Sequence, residues 1–382
     1  MIAILADDLT SALDGAAPFA ARGWRASVLL DATATLPADA QLLSFDLDTR
    51  VRDVAVAARR FQQAARRTRG AALLYKTVDS TLRGHLGAET HATLSAAGRS
   101  KALIAPAFPA AGRTTVDGCQ RVHGEPVHLT AFALDPRTPV HTSRIDDLLP
   151  ELDAGDYIVH DAGDDAALDA LIAHHGLQPE LLYVGSPGLG AALARALGPA
   201  PHAKPVAPRA ADRVLLLIGS VHPANDVQLA ALAQAGVPLL SMGPDTGARQ
   251  HEIVAAALQQ AYAQSRVVAL VSPRTISGDP GFPLRLAEQA GRLARRHADL
   301  YDGLVVTGGD TARHVADALE ASRLDLCGEV EPGVPYGVLC SPLRDIPFAT
   351  KAGGFGSTDT LLRCVDRLRT PLCDPRENHA SC

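Results

Sequence analysis

Short, nearly unbroken apolar runs recur along the chain, each followed by a Gly-, Asp- or Ser-bearing turn and then by an Ala/Leu/Arg-rich amphipathic segment. A strand with no polar alternation has to be covered on both faces. Alternation of such strands with helices therefore specifies parallel sheets sandwiched between helices. One series of runs comprises Ile2–Ala6, Ala26–Leu30, Leu42–Asp46, Leu73–Val78, Leu103–Ala107, Tyr157–His160 and Leu181–Val184. Helix-like segments such as Val51–Arg69, Gly87–Ala97 and Asp165–His174 lie between them. A second series runs through Val214–Ile218, Val267–Val271 and Leu304–Val306. The expected fold is α/β, in two domains, each a mostly parallel sheet flanked by helices, with an active-site cleft between them.

The length of 382 residues accommodates two domains of roughly 100–200 residues each. Between the two series, Gly198–Pro208 carries Pro199, Pro201, Pro205 and Pro208, which cannot continue a helix or a central strand. The expected division is residues 1–198, a Pro-rich linker at 199–211, and residues 212–382.

Composition removes several function classes. The net charge of −6 lacks the basic excess of a nucleic-acid-binding surface, and only 4% of residues are aromatic, too few for base-stacking platforms. No run approaches the ~20 apolar residues that span a bilayer. The N-terminus meets Asp7 and Asp8 before a secretory h-region could form. A cytoplasmic protein without nucleic-acid or membrane partners is expected, and self-association into a homo-oligomer is left open. The cysteines at 119, 327, 340, 364, 373 and 382 include no Cys-x-x-Cys pair, so neither a zinc site nor a disulfide framework is indicated.

The chemistry-bearing residues fall at strand-to-helix turns. Asp7-Asp8-Leu9-Thr10-Ser11 follows the first strand, where a dinucleotide-binding domain would carry Gly-x-Gly-x-x-Gly. Paired carboxylates repel phosphate and accept hydrogen bonds from hydroxyls, so a sugar, a polyol or a metal suits this turn. Asp7 could equally serve as a helix cap. The block Lys76-Thr77-Val78-Asp79-Ser80-Thr81-Leu82-Arg83-Gly84 crowds charge and hydroxyls into another such turn. There Arg83 could fork onto a carboxylate, with Lys76, Ser80 and Thr81 as further donors. Asp48-Thr49-Arg50 ends an intervening strand and could add Arg50. Ala105–Thr115 reads as a loop over the crevice, and the basic run Arg59–Arg69 as a solvated helix face.

The second half carries two glycine turns, each before a helix. Gly308-Gly309-Asp310-Thr311 opens Ala312–Glu320, and Gly353, Gly354 and Gly356 precede Thr360–Leu368. Exposed backbone amides at such turns attract phosphate. No Walker motif occurs. Ser220, after Val214–Ile218, could touch a nucleotide, whereas His222 without an identified partner reads as structural.

Taken in order, Asp7-Asp8-Leu9-Thr10, the Lys76–Gly84 block, Pro106-Ala107-Phe108-Pro109, Gly308–Thr311 and Lys351–Gly356 resemble the four-carbon acid sugar kinases over nearly the whole chain. The resemblance implies a sugar-acid-binding N-terminal domain and a nucleotide-binding C-terminal domain. Together they would phosphorylate the terminal hydroxyl of threonate, erythronate or 3-oxo-tetronate with ATP and Mg²⁺. It implies Asp8, Arg50, Lys76, Asp79, Ser80, Thr81 and Arg83 around the acid, and Ser220, the Gly308–Thr311 turn and Gly353 around ATP. On this reading Asp8 orients or deprotonates the hydroxyl and Arg83 fixes the carboxylate, with Asp7, Asp310 and Asp359 as alternatives for base or metal contact; the metal ligands stay unassigned. Two rival readings are a lyase or aldolase forming an imine through Lys76, and a sugar-acid sensor without turnover. The look of Pro136–Val140 leans toward threonate.

Overall fold

A computed structural model describes the chain except residues 32, 35, 38–39, 202–208, 244–247, 274–278, 280 and 371–382. Most of the Pro-rich stretch, and with it Cys373 and Cys382, lies outside the described residues. The chain divides into two compact units: Met1–Lys204 with Ser322–Gly333, and Pro205–Ala321 with Val334–Cys382. Ser322–Gly333, which a linear division assigns to the C-terminal half, belongs to the first unit.

The first unit runs β1 (Ile2–Ala6), α1 (Leu9–Ala20), β2 (Ala26–Leu29), β3 (Leu42–Asp46), α2 (Val54–Arg67), β4 (Leu73–Thr77), α3 (Leu86–Ala97) and β5 (Lys101–Ala105). A small antiparallel sheet of β6 (Arg113–Val116), β7 (Cys119–Val122) and β8 (Glu125–Pro126) follows, then β9 (Tyr157–Val159), α4 (Asp165–His175), β10 (Leu181–Gly185) and α5 (Pro187–Leu197). Its main sheet is ordered β2-β3-β1-β4-β10-β5-β9, all parallel. The late segment Arg323–Glu329 pairs antiparallel with β2. β1, β3 and β4 are buried along their whole length, as their unbroken apolar runs require. Phe45, Phe61, Leu74 and Ile104 pack in one core, where each such side chain stabilises the fold by roughly 1.5–3 kcal/mol.

The second unit contains β11 (Val214–Ile218), α6 (Ala224–Gln234), β12 (Leu239–Ser241), α7 (Ala248–Gln264), β13 (Val267–Val271), α8 (Phe282–Arg296), β14 (Gly303–Thr307) and α9 (Gly309–Ala318). β15, the Arg323–Glu329 strand of the first unit, comes next in the chain, before β16 (Pro335–Cys340), β17 (Asp345–Lys351) and α10 (Thr360–Arg369). The strand order is β12-β13-β11-β14-β17-β16, parallel except for the β16–β17 hairpin.

Both units open with the same winding. The chain leaves the first strand, forms the second one place removed, returns to pair the third with the first, and crosses to pair the fourth on the other side. The resulting orders are β2-β3-β1-β4 and β12-β13-β11-β14. Such a reversal is a topological switch point, where loops at the strand carboxyl ends diverge and leave a crevice. Among the described residues, no helix is long and apolar enough to cross a membrane.

Candidate functional site

In the first unit, the turns after β1, β3 and β4 meet at this switch point. Asp8 ends β1's turn by capping α1, its carboxylate accepting from the Ser11 N–H at 2.7 Å. Arg50, from the turn after β3, is the hub. Its Nε and Nη2 donate to the two Asp7 oxygens at 2.8 and 2.9 Å, Nη2 also donates to Ser11 Oγ at 2.7 Å, and Nη1 pairs with Asp8. Asp79 lies 3.9 Å from Nη1. The backbone fixes this aim, because the Asp7 carbonyl accepts from the N–H groups of Thr49 at 2.7 Å and Arg50 at 3.1 Å.

Asp79, in the turn after β4, holds Arg83 through Nε at 2.8 Å and Nη2 at 3.1 Å, and also accepts from Thr81. Arg83 Nη1 reaches Asp135 at 3.3 Å, and the guanidinium lies over the Phe132 ring, 5.6 Å from its centroid. Those bonds occupy three of the five guanidinium N–H donors, leaving one on each terminal nitrogen. Arg50 is committed almost entirely to Asp7, Asp8 and Ser11. Of the two arginines, Arg83 has the donors to offer a carboxylate, and Arg50 organises the acids.

The turns are strained to achieve this. Asp48 and Leu82 adopt left-handed backbone at φ 47° and 64°, unfavourable for side-chain-bearing residues. Gly84 has φ 98°, and a Cβ there would stand 3.2 Å from Asp7 Oδ2, so glycine suits both the conformation and the approach.

The electrostatics separate the carboxylates. Burial pushes Asp8 up to about 6, with Asp7 adding to the rise and Arg50 opposing it. Burial acts on Asp79 in the same direction, but Arg83 and Arg50 overcome it and hold that carboxyl far below the usual range. Asp8 is therefore the group poised to exchange a proton near neutrality.

Lys76 needs correction as a ligand-binding residue. Its side chain is 1% exposed, with Nζ 2.9 Å from Glu89 Oε2 and 4.8 Å from the Phe61 ring centroid. The expected crevice ligand is a buried ion pair beneath the turn, because its strand position points it into the α2–α3 side of the sheet. Its burial in that pair keeps the amine away from the crevice, against the imine chemistry of a lyase. Ser80 and Thr81 are buried, and the Ser80 carbonyl accepts from Gln120 Nε2 at 2.7 Å.

Four residues near this site escaped the motif reading. Glu89 is one. Arg113, on β6, lies within electrostatic reach of Asp79 and Arg83, and the expected loop around it is the edge of the β6–β8 hairpin. Asp14, one helical turn beyond Ser11 on α1, is 2% exposed, its Oδ1 accepts no hydrogen bond, and burial with Glu329 and Asp8 raises it well above the usual range. Burial also pushes Glu329 up to about 7. A periodicity argument reads Asp14 as one polar residue in an Ala-rich helix, and Glu329 sits in a distant part of the sequence.

In the second unit, the turns after β11, β14 and β17 converge. A Cβ on Gly219 would fall 2.0 Å from Thr311 Oγ1, and one on Gly353 would fall 2.1 Å from Ser220 Oγ. Gly308 has φ 96° and faces Ser220. Ser220, Gly308, Thr311 and Gly353 are thus neighbours around one glycine-lined concavity. Gly309 and Asp310 form the first turn of α9 and Gly354 packs against the His222 ring, whereas Gly356 has φ 91°. Supporting side chains are Asn225, whose Nδ2 donates to the Ser220 carbonyl at 3.0 Å, and Gln228, whose Nε2 donates to the Phe355 and Ser357 carbonyls at 3.2 and 2.9 Å. Ser272, after β13, donates to the Gly219 carbonyl at 3.3 Å. Sequence reading missed these three, since single Asn, Gln and Ser residues carry no motif.

No group of three or more His, Cys, Asp or Glu residues that could hold a metal occurs among the described residues. Asp310, in the first turn of α9, and Asp359, at the N-cap of α10, are the carboxylates that follow the two glycine turns.

A charged switch-point cluster in one unit and a glycine-lined one in the other define a two-unit α/β protein. The family models for the sugar-binding N-terminal domain and the nucleotide-binding C-terminal domain match residues 2–155 and 215–361. The chain is 36% identical to the D-threonate kinase of Bordetella bronchiseptica over 96% of this chain and 97% of that one. It is 29% identical to the D-erythronate kinase of Heliobacterium modesticaldum over 97% and 98% of the respective chains. A Salmonella typhimurium protein described as a putative tRNA synthase shares the fold, with TM-score 0.79 at 22% identity, covering 95% of this chain and 98% of that one. The chain belongs to the four-carbon acid sugar kinase family.

Proposed function

We propose that this protein is an ATP-dependent kinase that phosphorylates the terminal hydroxyl of a four-carbon sugar acid, with D-threonate as the acid. The observation that carries this reading is the pairing, at equivalent switch points, of the Arg50–Asp7–Asp8–Asp79–Arg83 cluster with the Ser220–Gly308–Thr311–Gly353 turns. The preference for threonate follows the greater likeness to the D-threonate kinase than to the D-erythronate kinase.

In this mechanism Arg83 receives the substrate carboxylate on its two remaining N–H donors, with Thr81 and Ser80 shaping the floor. Asp8 accepts a hydrogen bond from the terminal hydroxyl and takes its proton as the oxygen bonds to the γ-phosphorus. The bond from that phosphorus to the β,γ-bridging oxygen breaks, and ADP leaves. Main-chain amides of the glycine turns, with Ser220 and Thr311, hold the phosphates. Mg²⁺, taken up with ATP beside Asp310 or Asp359, would supply neutralisation of phosphate charge.

ADP release over a panel of four-carbon acids, with the product located by phosphorus NMR, tests the reading. D-threonate should be turned over faster than D-erythronate or 3-oxo-tetronate, with phosphate on the terminal oxygen. ADP formation unaffected by every acid in the panel would overturn it.

A further inference from the structure

We propose that Glu89 is a positioning residue that holds Thr49 from α3 and thereby sets the aim of Arg50 at Asp7 and Asp8; this rests on the kinase reading above.

The linkage is continuous. Glu89 Oε1 accepts from Thr49 Oγ1 at 2.7 Å, and Glu89 Oε2 pairs with Lys76 Nζ at 2.9 Å. Lys76 is clamped in turn by the Thr77 carbonyl at 3.2 Å and the Phe61 ring. Thr49 is fully buried, and its N–H donates to the Asp7 carbonyl at 2.7 Å. One residue further, Arg50 grips the Asp7 carboxylate with two nitrogens.

Two features argue for alignment over bulk stability. A buried ion pair is often no more stabilising than apolar residues of the same volume, so Lys76–Glu89 gains its place by fixing geometry. The turn it fixes also starts at Asp48 in the left-handed region, a conformation that reverts unless its neighbours hold it. The Thr49 hydroxyl ties this turn to the body of α3 through Glu89.

Thr49→Val removes that hydroxyl while keeping volume and leaving Lys76–Glu89 paired; Thr49→Ser restores it. Thr49→Val should raise the KM for D-threonate on the order of tenfold to a hundredfold, the scale of a misaligned binding group, with the KM for ATP within about twofold of wild type. Thr49→Ser should return the acid KM to near the wild-type value. The double variant Lys76→Met with Glu89→Leu should keep a thermal midpoint near wild type yet show the same acid defect. An unchanged acid KM in Thr49→Val overturns the positioning role, as does a parallel loss for both ligands. Wild-type protein that neither turns over nor binds D-threonate by calorimetry overturns the kinase reading as well.

Discussion

The two switch points share a strand order and differ in what fills them. In the first unit the turns after β1, β3 and β4 bring five charged side chains into mutual contact, with Arg50 and Arg83 neutralising Asp7, Asp8 and Asp79. In the second, the turns after β11, β14 and β17 meet through glycines and small hydroxyls, so close that a single methyl would collide. A small hydroxy acid offers few atoms, each of which must be met by a directional side chain. A triphosphate offers many equivalent oxygens, which backbone amides serve well at close approach. The same winding accepts either chemistry because the turns are free to vary while the strands are constrained by burial.

Substitutions can break this contrast. The largest effect is expected from Arg50→Met, which leaves Asp7 buried and unpaired, at a cost of about 3–5 kcal/mol. Thermal unfolding should show the loss, and acid phosphorylation should fall below detection. Asp8→Asn comes next. It keeps the shape but cannot accept the hydroxyl proton, so kcat should fall roughly 10²–10⁴-fold while nucleotide binding stays intact; steady-state kinetics read both. Gly353→Ala pushes a methyl into Ser220 and should raise the KM for ATP about tenfold or more by displacing the amide-lined turn, leaving the acid KM alone.

The smallest effect is in pH dependence. With Asp8 pushed up to about 6, kcat at saturating substrates should rise as pH increases through that value and then level off. Stability responds with opposite signs at the two acids. Asp8, raised on folding, contributes stability that is present at low pH and lost as pH rises through about 6. Asp79, depressed on folding, contributes stability above the ordinary carboxylate range that is lost on acidification. Chemical unfolding of wild type and Asp79→Asn across pH separates them, since only wild type should weaken on acidification through Asp79.

Much of the fold was legible because burial leaves a direct mark: β11 and β13 occupy the very residues their apolar runs predict, and α3 and α10 lie within a residue of their predicted ends. The β6–β8 hairpin and the β16–β17 pair were not, since short antiparallel strands beside turns carry little periodicity. The acid cluster was readable as a set of turns, but Lys76 shows the limit. Residue type placed it among the ligands, whereas alternation along β4 turned it inward to Glu89. Glu329 joins the first unit through a strand pairing that no local pattern announces.

The central claim, one unit for the acid and the other for the nucleotide, is tested most directly by calorimetric binding of D-threonate and of ATP, separately, to wild type, Arg83→Met and Gly353→Ala. The account predicts that Arg83→Met loses D-threonate and keeps ATP, and that Gly353→Ala does the reverse. Loss of ATP binding in Arg83→Met, with D-threonate retained, would contradict it.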